Sequence, residues 1–165
     1  MANMAPAQER MPVAKLYFED FKPGLLGEYG PRLITREEIV AFAAEFDPQP
    51  MHLDEDAARE TMLGGLAASG WQTAGLTLRL LTDAFLTRIA SAGGLGFSDL
   101  KWKKPVMKGD AISGTATIAE LRRSRSHPQW GIVKIDFDIR NQKGEPVMSL
   151  RLANLVETRH PETGT

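Results

Sequence analysis

The sequence predicts an α+β domain in which an antiparallel sheet of five or six strands wraps one long helix, and three observations predict it. Helical patterning fills the first half of the chain, and beyond Gly93-Gly94 the apolar period changes from 3.6 to 2. The segment from about Trp71 to Ala90 is apolar on more than one face, as a helix covered by other structure requires. With 165 residues, 42% hydrophobic and 25% charged, the chain has the size and composition of one globular domain.

Each element follows from local signals. Residues 1–13, with Pro6, Pro12 and small side chains, read as a disordered leader, residues 14–158 as the domain, and residues 159–165 as a tail. The aromatic and acidic run 16–21 precedes Lys22-Pro23-Gly24, which predicts a short strand or arm followed by a turn. Residues 28–34 read as a second extended piece, interrupted by Pro31. Thr35 and Glu38 stand at capping-box spacing, so a helix starts there; Ile39, Val40, Phe42, Ala43 and Phe46 share a face, and Pro48 stops it. Asp54, Glu55 and Asp56 supply the cap and acidic first turn of a short helix. The glycine-rich stretch 64–70 then leads into the long helix. Beyond it, Leu100 and Trp102 alternate with Lys101 and Lys103, and Val133, Ile135, Phe137 and Ile139 alternate with Lys134, Asp136, Asp138 and Arg140. Residues 111–121 and 147–156 read as two further strands, with turns at 108–110 and 141–144, and the four together read as a meander. Such a sheet leaves an edge, which pairing of two copies would cover.

Composition excludes several classes of function. There are 20 basic and 21 acidic side chains, a net charge of −1, whereas nucleic-acid binders carry a marked basic excess. The two halves differ: residues 1–90 hold 8 basic and 13 acidic groups, residues 91–165 hold 12 and 8, so an anionic ligand is expected to meet the second half. With no cysteine, disulfides, thiol nucleophiles and Cys-ligated metals are ruled out, and a reducing cytoplasm fits. The N-terminus has no apolar core of a secretory signal. Residues 61–78 are uncharged, but four glycines, Gln72 and three threonines argue against a membrane span.

Three features could carry chemistry. Asp47 stands at the end of a helix, where the macrodipole disfavours a carboxylate, and two prolines stiffen the path to His52. An acid and an imidazole held five positions apart can share proton transfer to and from water. Asp-Pro also opens ordinary turns, and a histidine ahead of a helix can simply cap or pack, so spacing alone leaves both readings open. Ser69-Gly70-Trp71 heads the long helix, where unpaired N–H groups can stabilise an oxyanion, or where Ser69 is a plain N-cap. Lys101, Lys103 and Lys104, with Lys108 and the Arg122, Arg123 and Arg125 group, could meet phosphates or form solvated strand faces. His52, His127 and His160 show no metal-ligand spacing.

Taken together, these pieces resemble the MaoC-like dehydratase family, which includes the (R)-specific enoyl-CoA hydratases and has the hot-dog fold. The resemblance spans residues 17–157. It rests on Asp47-Pro48-Gln49-Pro50-Met51-His52-Leu53-Asp54, with support from Ala68-Ser69-Gly70-Trp71 and from Gly94-Leu95-Gly96-Phe97 through Lys104-Pro105-Val106 to Gly109-Asp110. It implies that Asp47 and His52 are the catalytic pair acting on water, with Ser69, Gly70 and Trp71 beside the thioester. The substrate it implies is a trans-2-enoyl thioester of coenzyme A or of an acyl carrier protein, hydrated reversibly in fatty acid metabolism. No cofactor beyond coenzyme A itself is implied, and a homodimer or higher dimer-based oligomer is expected. The chain departs from the hydratases at Phe46, where they have Gly, at Gln49, where they have Asn, and at Ser69, where many have His. An acyl-CoA thioesterase and a non-catalytic acyl-CoA-binding subunit are the alternatives.

Overall fold

The computed structural model describes residues 14–161. The leader at 1–13 and residues 162–165 of the tail lie outside the described residues. In chain order the elements are β1 (Gly24–Leu33), α1 (Arg36–Phe46), α2 (Pro50–Leu53), α3 (Glu55–Arg59), α4 (Gly70–Ala84), β2 (Ser91–Trp102), β3 (Ala111–Arg123), β4 (Trp130–Arg140) and β5 (Pro146–Glu157).

The five strands form one antiparallel sheet in the order β1-β3-β4-β5-β2. Its centre follows the period-2 pattern: Val133, Ile135, Phe137 and Ile139 are buried, while Lys134, Asp136 and Asp138 sit half-buried on the opposite face. Phe137 lies across from Leu150 and Ala116, and Ile135 across from Leu152, so one face of three strands supplies a continuous apolar layer.

The expected four-strand meander is corrected in one respect. β3, β4 and β5 are consecutive neighbours, but β2 pairs with β5 at the far edge and β1 takes the place beside β3. The eight residues from Lys103 to Asp110 are too long for a tight hairpin and are held elsewhere: Val106 O accepts from Ala68 N at 2.8 Å, and Lys108 N donates to Leu66 O at 3.0 Å. This link therefore fastens the chain that enters α4.

The expected capping box is present, with Thr35 Oγ1 accepting from Glu38 N and Glu38 Oε2 accepting from Thr35 N, each at 3.2 Å. Asp54 caps α3 by accepting from Ala57 N at 2.8 Å. Three local expectations change. The run 16–21 is a 3₁₀ turn over Phe18–Asp20 rather than a strand, because Asp20 Oδ2 accepts from Tyr17 N and closes the turn locally. The path from Pro48 to His52 is not all loop: Pro50, at N1 with its φ preset, starts the single turn α2. The long helix ends at Ala84, and a 3₁₀ turn at Leu86–Arg88 redirects the chain so that Ala90 N reaches Leu16 O and Ala90 O accepts from Glu157 N, both at 2.8 Å. Arg159, at the start of the expected tail, lies over the Tyr17 ring and pairs with Asp20.

Helix α4 packs through Leu81, Ala74, Leu76, Leu80 and Ala84 against the sheet's core. Its buried Thr73 and Thr77 hydroxyls donate to the carbonyls of Ser69 and Thr73, which satisfies them inside the helix. Trp71 and Leu78, which line one hollow with Ala74 and Leu81, are 63% and 44% exposed in the single chain. Among the described residues no helix is long and apolar enough to cross a membrane.

Candidate active site

Asp47 is the C-cap of α1: its N–H donates to Ala43 O at 3.0 Å, and its side chain leaves the helix where Pro48 forbids another turn. The carboxylate accepts two hydrogen bonds, from Ser69 Oγ to Oδ2 at 2.6 Å and from Gln49 Nε2 to Oδ1 at 2.7 Å. Those two bonds, the Ser69 one foremost, hold its carboxyl below the usual carboxylate range, against burial, which pushes it up; nearby His52 adds a smaller lowering. Asp47 is therefore an anion at neutral pH despite its position at a helix C-terminus.

His52 lies on α2 and is buried. Its Nδ1 is 2.8 Å from the carbonyl oxygen of Ala67. A carbonyl can only accept, so Nδ1 carries the hydrogen, and in the neutral ring Nε2 is left with a bare lone pair. Nε2 stands 3.7 Å from Asp47 Oδ2, too far for a direct hydrogen bond and close enough for both atoms to contact one water.

The two groups open into a cleft of about 450 Å³. One wall is the head of α4, with Ala67, Ala68, Gly70, Trp71 and Thr73; the other is Trp102 and the link Lys103-Lys104-Pro105-Val106; Met51 and Leu63 add apolar surface. Gly70 is required by its neighbour: a Cβ there would lie 2.6 Å from Trp102 Cε2 and 2.8 Å from Nε1. Trp102 Nε1 donates to Gly70 O at 2.9 Å, and its ring meets Trp71 edge to face, 5.4 Å apart at 82°. As the first residue of α4, Gly70 has an N–H with no partner inside the helix.

The sequence-predicted residues divide as follows. Asp47, His52, Gly70, Trp71, Lys103 and Lys104 line one cleft, and Lys101 does not. Ser69 is fully buried: its hydroxyl donates to Asp47 and accepts from Trp71 N at 3.2 Å, so it is an N-cap and a support for Asp47 at once. Lys103 and Lys104 are paired with Asp138 at 3.7 Å and Glu145 at 2.5 Å. Arg122, Arg123 and Arg125 are absent from the cleft wall, and Arg123 pairs with Glu19 at 3.1 Å. The Ala67 carbonyl and the Gln49 amide are additions. Gln49 was open to recognition as a polar side chain within local reach of Asp47, whereas a main-chain carbonyl leaves no trace in residue type. Among the described residues, no group of three or more His, Cys, Asp or Glu side chains could hold a metal ion.

The family model described as MaoC like domain matches residues 26–134. The (R)-specific enoyl-CoA hydratase of Rhodospirillum rubrum is 33% identical over 107 residues, covering 64% of this chain and 71% of that protein. Among solved structures, the MaoC-like dehydratase from Rhodospirillum rubrum is 39% identical with a TM-score of 0.79, covering 88% of this chain and 99% of that one. The (R)-hydratase from A. caviae involved in PHA biosynthesis is 25% identical with a TM-score of 0.65, covering 85% and 98%. The five-stranded antiparallel sheet with its helices is thus the hot-dog α+β arrangement.

Proposed function

The chain belongs to the MaoC-like domain family, and from that premise we propose that it is a hydratase that adds water reversibly across the double bond of a trans-2-enoyl thioester. The observation that carries the reading is the pair of acceptors in the cleft, ionised Asp47 and bare His52 Nε2, 3.7 Å apart. A water between two acceptors donates one hydrogen to each. Its lone pairs then point away from both, toward C3 of a substrate in the cleft. Attack forms the C3–O bond and moves the double-bond electrons onto the thioester oxygen. The free N–H of Gly70 suits that oxyanion, a donor of this kind being worth about 3–4 kcal/mol. The proton that the pair takes from water goes back to C2, so hydration closes its proton balance without another group. General acid–base help of this type contributes about 10²–10⁴ in rate.

The chemistry needs no resident metal or redox group, and coenzyme A enters as part of the substrate. Lys103 and Lys104, on the cleft wall, are the basic side chains placed to meet a phosphate of coenzyme A or of carrier-bound phosphopantetheine. A homodimer is part of the same reading. Among the described residues β2 pairs with β5 alone and its other edge has no strand, with Leu95 and Phe97 of β2 more than half exposed and Phe97 beside Trp71 and Leu78 of α4. Two β2 edges can pair antiparallel about a two-fold axis, covering both apolar faces. Light scattering at micromolar concentration should give twice the chain mass, and a fully active monomer would remove this part.

Incubation with crotonyl-CoA tests the function. Loss of enoyl absorbance without release of thiol is expected. Release of free thiol would mean a thioesterase, and neither change across a series of chain lengths would mean a binding subunit.

A further inference from the structure

We propose that Gln49 is a positioning residue that clamps the carboxylate of Asp47 and so selects Oδ2 as the oxygen that meets the reacting water. The inference rests on the hydratase reading above. It starts from a geometric problem at Asp47. A carboxylate turns easily about its Cβ–Cγ bond, and one anchor, the Ser69 hydroxyl on Oδ2, leaves that pivot open. Gln49 supplies the second anchor on the other oxygen, 2.7 Å from Oδ1, and two donors on two oxygens fix the plane of the group. With Oδ1 held toward Gln49, the oxygen turned to His52 Nε2 is Oδ2, which keeps a second acceptor position beside its bond from Ser69.

Gln49 is itself fixed by the main chain. Its N–H donates to Asp47 O at 2.7 Å across Pro48, and its carbonyl accepts from His52 N at 2.9 Å, ahead of Pro50. One residue thus ties both members of the pair to a common backbone frame while its side chain reaches back to the carboxylate. The reach depends on length. Asparagine would be shorter by one C–C bond, about 1.5 Å, which is more than a 2.7 Å hydrogen bond tolerates. The charged groups that face Asp47 are His52 on α2 and, across the cleft, Lys103 and Lys104, which are held by Asp138 and Glu145. None of these donates to Oδ1, so loss of Gln49 is not made good by a neighbour.

The test uses the full chain and two readouts. Gln49→Met keeps the length of the side chain and removes the donor. Gln49 is exposed, so the variant should unfold at nearly the wild-type temperature. Its kcat for crotonyl-CoA hydration should fall about ten- to a hundredfold with little change in KM, and the acid limb of its kcat profile should move to higher pH. Gln49→Glu should move the acid limb further, since a second carboxylate then faces the first. The independent readout is the ¹³C chemical shift of the Asp47 carboxyl, titrated in wild type and in Gln49→Met, which needs no turnover. An upward displacement of that titration together with the shifted acid limb supports the clamp. An unchanged titration, or full kcat in Gln49→Met with an unmoved acid limb, overturns it. A displaced titration in a protein that hydrates nothing would keep the clamp and sink the hydratase reading.

Discussion

Replacing Asp47 by Asn separates the chemical role of the carboxylate from its structural one. The carboxylate accepts from the Ser69 hydroxyl at 2.6 Å and from the Gln49 amide at 2.7 Å. Asn offers one oxygen, which Gln49 can keep, and an amide N–H that Ser69 can accept once its hydroxyl turns. Two charge-assisted bonds of roughly 1.5–3 kcal/mol become neutral ones of roughly 0.5–1.5, a combined loss of about 2–3 kcal/mol. Against that, the substitution removes a negative charge from the C-terminus of α1, worth roughly 0.3–1 kcal/mol, and relieves the burial of an ion. The remainder is about 1–2 kcal/mol, and a domain of this size shifts its Tm by about 2–4 °C for each kcal/mol. Activity should respond on another scale, because the base is gone: kcat for crotonyl-CoA should fall by about 10²–10⁴. The pH dependence of stability has a definite sign. The folded carboxyl is held below its unfolded value of about 3.9, so its contribution is present above pH ~4 and lost as pH falls through the lowered folded value. Acid unfolding of Asp47→Asn should lack that component. If the variant kept more than about a tenth of wild-type kcat, Asp47 would supply less than ~1.4 kcal/mol to the barrier and would not be the base. A Tm drop beyond ~10 °C would instead make it a structural acid.

His52→Gln should lower kcat by a similar factor, and the double variant with Asp47→Asn should be little worse than the poorer single one, since both act on one water; additive losses in the kinetic cycle would argue for separate roles. Gly70→Ala should raise KM severalfold, because its Cβ would displace the Trp102 indole that forms the cleft wall, while a helix-favouring Ala offsets part of the lost hydrogen bond and keeps the Tm change to about 1–2 kcal/mol equivalent; unchanged KM would show that this wall does not touch substrate. Joint replacement of Lys103 and Lys104 by Ala should raise KM for coenzyme A thioesters, leave kcat alone and flatten the salt dependence of KM, at a stability cost of no more than about 1 kcal/mol for each exposed pair; identical KM at low salt would leave both lysines as solvated surface.

What was legible in the sequence is what short-range rules govern. The Thr35/Glu38 box, the stop at Pro48, the Asp54 cap and the alternation at 130–140 all act within a few residues, and each stands where its pattern placed it. What was not legible depends on competition over distance. Period 2 says that β2 is a strand but not which neighbour it takes, and the answer lies in the bonds of the 103–110 link to Leu66 and Ala68. The helical pattern runs on past Ala84, yet the chain turns there because Ala90 has partners at Leu16 and Glu157. At the site, Asp47 and His52 were readable as residue types, while their working states were not. Those states are set by two side chains on different elements and one main-chain oxygen.

That main-chain oxygen connects the sheet to the chemistry. Ala67 O fixes the hydrogen on His52 Nδ1, and Ala67 is held by its bridge to Met107 while the neighbouring Ala68 N–H donates to Val106 O. The segment 105–107 thus braces the chain behind the histidine, and its Pro105 and Val106 also line the cleft. A displacement of this segment would loosen the Ala67 carbonyl, and with it the constraint that keeps the lone pair on Nε2. On the proposed hydratase reading, the state of His52 thus depends on a β2–β3 connection more than 50 residues away in sequence, through a hydrogen bond that no side-chain substitution at Ala67 removes directly.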